Sequence, residues 1–188
     1  MKKSDIKELI KIAAENFNVV NACFWFNENY YNLIPLTSSD KLFFSINEDD
    51  FIFDGYGIFR FKDMIKVEIK NDLCDIILKN EGLTSNIVIP NIDISNWKTV
   101  FESLRCINKN IIIENQIDGI DEDEELVVGR IEKIYKNFAY VWIVDADGIW
   151  DDSPIRVPYS GITNITFGSR YVDIFSKYLT EPPFIKCL

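Results

Sequence analysis

The strongest constraint on this chain is that it repeats its own residue pattern at a spacing of 97 residues. The segment 46–79 aligns with the segment 143–177, and one inserted residue changes the spacing to 98 towards the end. Acidic, aromatic and aliphatic positions coincide along the alignment. Because such self-similarity is the signature of a repeated structural unit, the sequence predicts a tandem duplication, with one unit in residues 1–92 and the other in residues 93–188.

Each copy contains three short runs that are rich in aromatic and β-branched residues and separated by turns. The runs are KLFFSI, GIFRF and IKVEI in the first copy, and AYVWIV, PIRVP and ITNITF in the second. Such runs favour meander strands, and the asparagine-flanked runs NVVNACFWF and NIIIEN look like further strands. The predicted fold class is α+β and mainly β, with a small antiparallel β-barrel-like unit in each half, either a strongly bent barrel or a partly open sheet.

Short helices are expected on both sides of the strands in each unit. Helical spacing of apolar residues predicts helices over 5–17, with Ser4 as N-cap, and over 96–107, with Ser95 as N-cap. The segments NDLCDIILKNEG and SRYVDIFSKYL predict a short helix after the last strand of each copy, the second one beginning at Ser169.

Composition narrows the function classes. The chain of 188 residues has 30 acidic and 20 basic residues, and its net charge of −10 opposes a general affinity for phosphate backbones. Histidine is absent, which removes the usual general base near neutral pH and the commonest metal ligand. The four cysteines show no metal-ligand spacing. The composition therefore favours a protein that is not an enzyme and binds no cofactor or metal.

The chain also lacks the pattern of a targeting or membrane segment. Charged residues interrupt the N-terminal stretch MKKSDIKELIKIAAENF before an apolar signal core could form. No later apolar run is long enough to span a bilayer. The expected location is therefore the cytoplasm, without membrane contact.

The segment VDADGIWDDS brings four aspartates close together, namely Asp145, Asp147, Asp151 and Asp152. A helix-loop-helix calcium loop that starts at Asp145 would need an oxygen ligand at its fifth position and a glutamate at its twelfth. These positions hold Ile149 and Arg156, so the match fails. Catalytic carboxylates would need burial or a partner that separates their pKa values, and neither is visible in the sequence. The cluster favours an acidic hairpin turn, in which Trp150, aligned with Phe53, anchors the core.

A second acidic segment precedes the strands of the second copy. Five consecutive acidic residues, Asp121 to Glu125, lie within the stretch 116–129. A block of like charges is typical of a solvated loop or linker, and the sequence predicts one here.

Part of each repeat resembles a known type of protein. The phrases DDFIFDGYGIFRFKDMIKVE and VDADGIWDDSPIRVPYSGITNITFGSRY are similar to small bacterial proteins with Sm-like β-barrel-type repeats, over about 70 residues. The matching residues are Asp54, Gly55, Tyr56, Ile58, Arg60, Lys62 and Asp63. The resemblance implies a fold but no settled activity, so it assigns no functional residue. The second copy departs from the phrase at Asp152, Ser153 and Pro154.

Two interaction functions follow from these features. An acidic surface rimmed by aromatic residues suits a basic protein partner, for example a toxin neutralised by an immunity-type protein. The residues expected at that surface are Asp145, Asp147, Asp151, Asp152 and Tyr56. The alternative is an Sm-like protein that binds single-stranded RNA. It requires a basic groove lined by Arg60, Lys62, Arg130, Lys133, Arg156 or Arg170.

Overall fold

The protein is described by a computed structural model that covers residues 1–115 and 125–183, and of Glu125 only the backbone. The chain forms two compact units, Met1–Ser95 (unit 1) and Asn96–Leu188 (unit 2). The fold is mainly β, and its strand pairs are antiparallel.

Unit 1 begins with a helix, continues through five strands and adds a second helix. In chain order these elements are α1 (Lys3–Asn16), β1 (Val20–Phe24), β2 (Tyr30–Ser38), β3 (Leu42–Asp49), β4 (Ile52–Arg60), β5 (Met64–Ile69) and α2 (Leu73–Asn80). The strands lie in the order β5-β1-β2-β3-β4. A single 3-10 turn, Phe61–Asp63, joins β4 to β5.

Unit 2 repeats this sequence of elements. They are α3 (Trp97–Ile107), β6 (Ile111–Asn115), β7 (Glu125–Ile134), β8 (Phe138–Ile143), β9 (Ile155–Pro158), β10 (Ile162–Phe167) and α4 (Arg170–Phe175). The strands lie in the order β10-β6-β7-β8-β9. In both units, therefore, the last strand lies beside the first strand.

The sheet of each unit is open, which corrects the expectation of a closed barrel and agrees with the partly open sheet that the strand pattern also allowed. Closure would require β4 to pair with β5 in unit 1, or β9 with β10 in unit 2. Neither pair forms among the described residues. The physical reason lies in the short connections: the 3-10 turn of unit 1 leads β5 away from β4 and onto β1, where Val20 lies opposite Ile69.

The hydrophobic core of unit 1 lies between α1 and one face of the sheet. Ile6, Ile10 and Ala13 of α1 are buried in a cluster with strand residues that include Phe24 and Phe59. The rings of Phe24 and Phe59 stack with centroids 5.1 Å apart. A second cluster gathers around Leu78 of α2. Helix α1 is thus held by burial of an apolar stripe, whereas α2 buries only Leu78 among its apolar residues and leaves Leu73 and Ile76 exposed.

Unit 2 has a corresponding core beneath α3, which packs on β7 and β8. The helix buries Trp97, Val100, Phe101 and Leu104. Within the described residues, no helix of the protein is long and apolar enough to cross a membrane.

Two of the three predicted helix caps are wrong. The Ser4 hydroxyl donates to Asp5 instead of capping α1, whose N-cap is Lys2. Helix α3 is capped by Asn96 rather than Ser95, because the Asn96 side chain accepts from the Thr99 amide in a capping box. Ser169 is confirmed as the N-cap of α4.

The predicted acidic loop before the second set of strands is partly wrong. Residues 116–124 lie outside the described residues. From Glu125 onward the chain is strand β7, paired with β6 and β8. Burial of Val127 and Val128 supplies the reason, since burial of β-branched side chains in the sheet outweighs the acidic residues before them.

Candidate interaction site

The connection between β8 and β9 is an ordered acidic turn. Asp145 organises it: one carboxylate oxygen accepts from the amides of Asp147, at 3.0 Å, and Ile149, at 2.8 Å. Gly148 has a φ of 81°, a left-handed conformation that glycine adopts without steric cost. The predicted turn at Asp147 and Gly148 is therefore confirmed.

The four predicted aspartates of this turn point their charge to solvent. Asp145, Asp147, Asp151 and Asp152 are all exposed. None of them forms an ion pair within residues 1–115 and 125–183. Over the same residues, no group of three acidic or thiol side chains is arranged to hold a metal ion. The uncompensated charge is thus available to a positively charged group from outside.

Unit 1 presents a related turn between β3 and β4. Glu48 takes the place of Asp145, and its carboxylate accepts from the Phe51 amide at 2.9 Å. Asp49 and Asp50 are exposed and form no ion pair within the described residues. We call this segment, 48–52, and its counterpart, 145–152, the acidic turns.

Phe51 is the unexpected residue of the first acidic turn. It occupies the position aligned with Gly148 and has a φ of 71°, although it is not glycine. Its side chain is 38% exposed, and the adjacent Ile52 is exposed as well. The matching position in the second turn, Ile149, is also exposed. Each acidic turn therefore displays apolar surface beside unpaired carboxylates.

Trp150 is not the core anchor that the alignment predicts. It is half-buried, and its indole nitrogen donates to the Thr180 carbonyl at 2.9 Å. The large buried tryptophan of this region is Trp142, whose indole donates to Glu132. Trp150 instead ties the second acidic turn to the segment after α4.

Tyr56 lies in unit 1, whereas the four predicted aspartates lie in unit 2. Its hydroxyl donates to the Val88 carbonyl, and its ring packs against Phe44 with centroids 5.6 Å apart. Burial raises the pKa of Tyr56 above the usual tyrosine value. The hydroxyl of Tyr56 thus holds a segment of its own unit.

The basic residues expected along an RNA groove have varied surroundings. Arg60 is buried in an ion pair with Asp63. Arg130 donates to Asn110 and Glu181. Lys133 and Arg156, in contrast, lie beside aromatic rings of unit 2.

These two residues belong to a surface that we call the aromatic–basic patch. Its members are Lys133, Tyr135, Phe138, Tyr140 and Arg156. Tyr140 lies opposite Lys133 on one side and Arg156 on the other, so the three side chains share one face of the sheet. The Arg156 guanidinium lies 4.4 Å from the centre of the Phe138 ring, within cation–π range.

No protein-family model, curated protein or solved structure matches this chain. The likeness to Sm-like repeat proteins stays a prediction.

Proposed function

We propose that this is a cytoplasmic interaction protein that binds a basic protein partner through its acidic turns and does no catalysis. The observation that carries the proposal is Phe51. A non-glycine residue in the left-handed region costs about 1–2 kcal/mol, and such strain is concentrated where a function requires it. Here it holds an exposed aromatic ring beside the unpaired carboxylates of Asp49 and Asp50.

The second acidic turn supports the same function. It combines four unpaired carboxylates with an exposed isoleucine, and Asp145 fixes its backbone before any partner arrives. A preordered loop loses less conformational entropy on binding, and charge complementarity accelerates the encounter. Neutralisation of a basic toxin is the concrete form of this function. The corresponding turns also support a duplication as the origin of the two units.

The test is capture of partners by the full chain from a lysate of its native cells, followed by identification and calorimetric titration of the captured protein. The binding variant replaces Asp147, Asp151 and Asp152 by asparagine. The matched control replaces three exposed acids elsewhere, Glu15, Glu28 and Glu81, by glutamine.

We expect a basic partner whose affinity falls at least tenfold in the binding variant, about 1.4 kcal/mol, and falls with added salt. The control should bind like the wild type. Failure to capture any specific protein, or equal affinity for both variants, would contradict the proposed function.

The aromatic–basic patch favours single-stranded RNA as a second candidate. Stacking on an aromatic side chain contributes about 1–3 kcal/mol of binding free energy per base, and basic side chains nearby bind the phosphates. Fluorescence anisotropy with an oligouridine probe tests this candidate at low and high salt. Tyr140→Ala should weaken binding about tenfold, whereas Tyr178→Ala, at an exposed tyrosine elsewhere in unit 2, should not. Absence of binding at low salt would eliminate this candidate.

A further inference from the structure

Strand β5 has a paired neighbour on one side only. It pairs with β1 from Val20 opposite Ile69 to Cys23 opposite Lys66. In the part of the chain that the structure describes, no other strand pairs with β5. An edge of this kind presents free backbone donors and acceptors and can serve as a template for another strand.

The hydrogen bond between Lys70 and Val19 identifies the backbone groups that face outward. The Lys70 amide donates to the Val19 carbonyl at 2.8 Å, so Lys70 directs its polar groups towards β1. Direction alternates along an antiparallel strand. Glu68 and Lys66 therefore also bond to β1, while the amides and carbonyls of Val67 and Ile69 point away from it.

The surface along this edge is an open apolar groove. Met1 and Leu9 on the side of α1 line it together with β5 itself, from Ile65 to Ile69. Ile65 is 52% exposed, although it is a large apolar residue in a strand. Residue pairing shifts by one between Cys23 and Phe24, which places Ile65 at a bulge.

We propose that a second copy of this chain occupies the groove, with β5 pairing antiparallel to β5 about a two-fold axis at Val67. In this register Lys66 of each copy lies opposite Glu68 of the other. Ile65 of each copy lies opposite Ile69 of the other. The segment IKVEI is thus complementary to itself in both charge and apolar character, as an isologous interface requires.

The hydrogen-bonding phase agrees with this register. Val67 lies opposite its own copy, and its outward amide and carbonyl form a mutual hydrogen-bonded pair. Lys66 and Glu68 then form non-hydrogen-bonded pairs, in which side chains approach most closely. Within one copy their charged atoms are 2.6 Å apart on an exposed surface, and such a surface pair contributes little stability. It can therefore exchange for two ion pairs between copies.

A two-fold axis perpendicular to the sheet keeps α1 of both copies on the same face. Met1 and Leu9 of one copy then face the same residues of the other across the axis. The apolar groove is removed from water on both sides, which favours association.

Strand β9, at one end of the unit 2 sheet, pairs with β8 only among the described residues and lacks these features. Strand β9 has only four residues, and Pro154 precedes it. The Tyr159 amide donates to the Asn137 carbonyl at 3.1 Å, so by alternation the nitrogen of Pro158 faces outward and has no hydrogen to donate. The chain therefore blocks strand addition at β9 and leaves β5 suitable for it.

The test is sedimentation equilibrium of the full chain over a range of concentrations, with a charge-exchange series. Lys66→Glu and Glu68→Lys each create two like-charge contacts per dimer, so each should weaken the dimer about tenfold. The double variant restores opposite charges and should return to within about threefold of wild type. The control Lys41→Glu makes the same charge change as Lys66→Glu, but at an exposed site away from β5, and it should dimerise normally.

Amide hydrogen exchange gives an independent measurement. Exchange at Val67 and Ile69 should slow as protein concentration rises in the wild type and remain fast in Lys66→Glu. A monomer at all concentrations would overturn the proposal. So would a dimer that is insensitive to the single changes, or a double variant that stays as weak as the singles. Because β5 is separate from the acidic turns, these outcomes do not depend on the proposed partner.

Discussion

Phe51 and Gly148 occupy corresponding positions in the two acidic turns and differ in the backbone strain that their conformation causes. Both have positive φ, but only glycine adopts it without strain. Phe51→Gly should therefore raise the free energy of unfolding by about 1 kcal/mol while weakening partner binding. Gly148→Ala should lower the free energy of unfolding by about the same amount. The positive φ is strained for alanine, and the new methyl group would lie 3.2 Å from Leu179. Urea denaturation measures both, and destabilisation by Phe51→Gly would contradict the strain argument.

Asp63 is the residue on which the turn between β4 and β5 depends. Its carboxylate accepts from the Arg60 guanidinium and, at 3.0 Å, from the Trp25 indole. Both Arg60 and Asp63 are buried. Removal of one member of a buried pair leaves the other charge uncompensated, at a cost of about 3 kcal/mol. Asp63→Ala should show that loss in urea denaturation, whereas Asp49→Ala, at an exposed acid, should be nearly neutral.

Tyr159 makes the stability of unit 2 sensitive to alkaline pH. Burial, and secondarily Glu102, raises its pKa to about 12. Between pH 10 and 12 the unfolded chain loses the phenolic proton that the folded protein retains, so stability falls as pH rises. Tyr159→Phe should reduce this fall between pH 10 and 12, measured from urea midpoints. Tyr178→Phe, at an exposed tyrosine, should leave it unchanged, and an equal fall in all three proteins would refute the assignment.

Two neighbouring polar residues, Ser95 and Asn96, precede α3, and substitution of each shows which one caps the helix. Asn96 and Thr99 form a reciprocal capping box, while the Ser95 hydroxyl bonds to Asp93. Asn96→Ala should therefore cost about 1 kcal/mol in thermal or urea unfolding. Ser95→Ala should cost clearly less. The reverse ranking would show that the helix begins one residue earlier.

Local patterns predicted most elements but missed β2 and β7. Proline within a run argues against a strand, and Pro35 sits in the middle of β2, where the register with β3 shifts. The acidic run before β7 favoured a loop, although pairing with β6 and β8 stabilises a strand there. The misassigned cap of α3 has a similar cause, because two adjacent residues were both good N-caps. For β2 and β7, pairing with neighbouring strands decided what the local pattern left undetermined, whereas for α3 the hydrogen bonds between Asn96 and Thr99 decided it.

At the scale of the whole molecule, the order of strands follows from no single segment. The sequence could indicate repeated strands and acidic turns, but pairing between distant strands determines whether a sheet closes, and these sheets are open. The candidate site was likewise only partly predictable. The turn aspartates could be read from the sequence, while the strained backbone of Phe51 and the hydrogen bond of Tyr56 to Val88 depend on three-dimensional structure.

The net charge of −10 also has a consequence for the whole molecule. Mutual repulsion opposes non-specific association of molecules in solution near neutral pH. As pH falls towards the isoelectric point of about 4.5, carboxylates protonate and the repulsion disappears. Turbidity should therefore be greatest near pH 4.5 and decrease on either side, and unchanged light scattering from pH 7 to pH 4 would contradict this expectation.

Pro158 has a consequence for polymerisation. A contact between two β5 strands uses the same edge of both copies, so growth stops at two. If β9 could also accept a strand, β5 of one copy could join β9 of the next, and a head-to-tail contact that does not close produces a filament. Because Pro158 has no N–H to donate at the unpaired edge of β9, it disfavours this head-to-tail contact and therefore the growth of fibres.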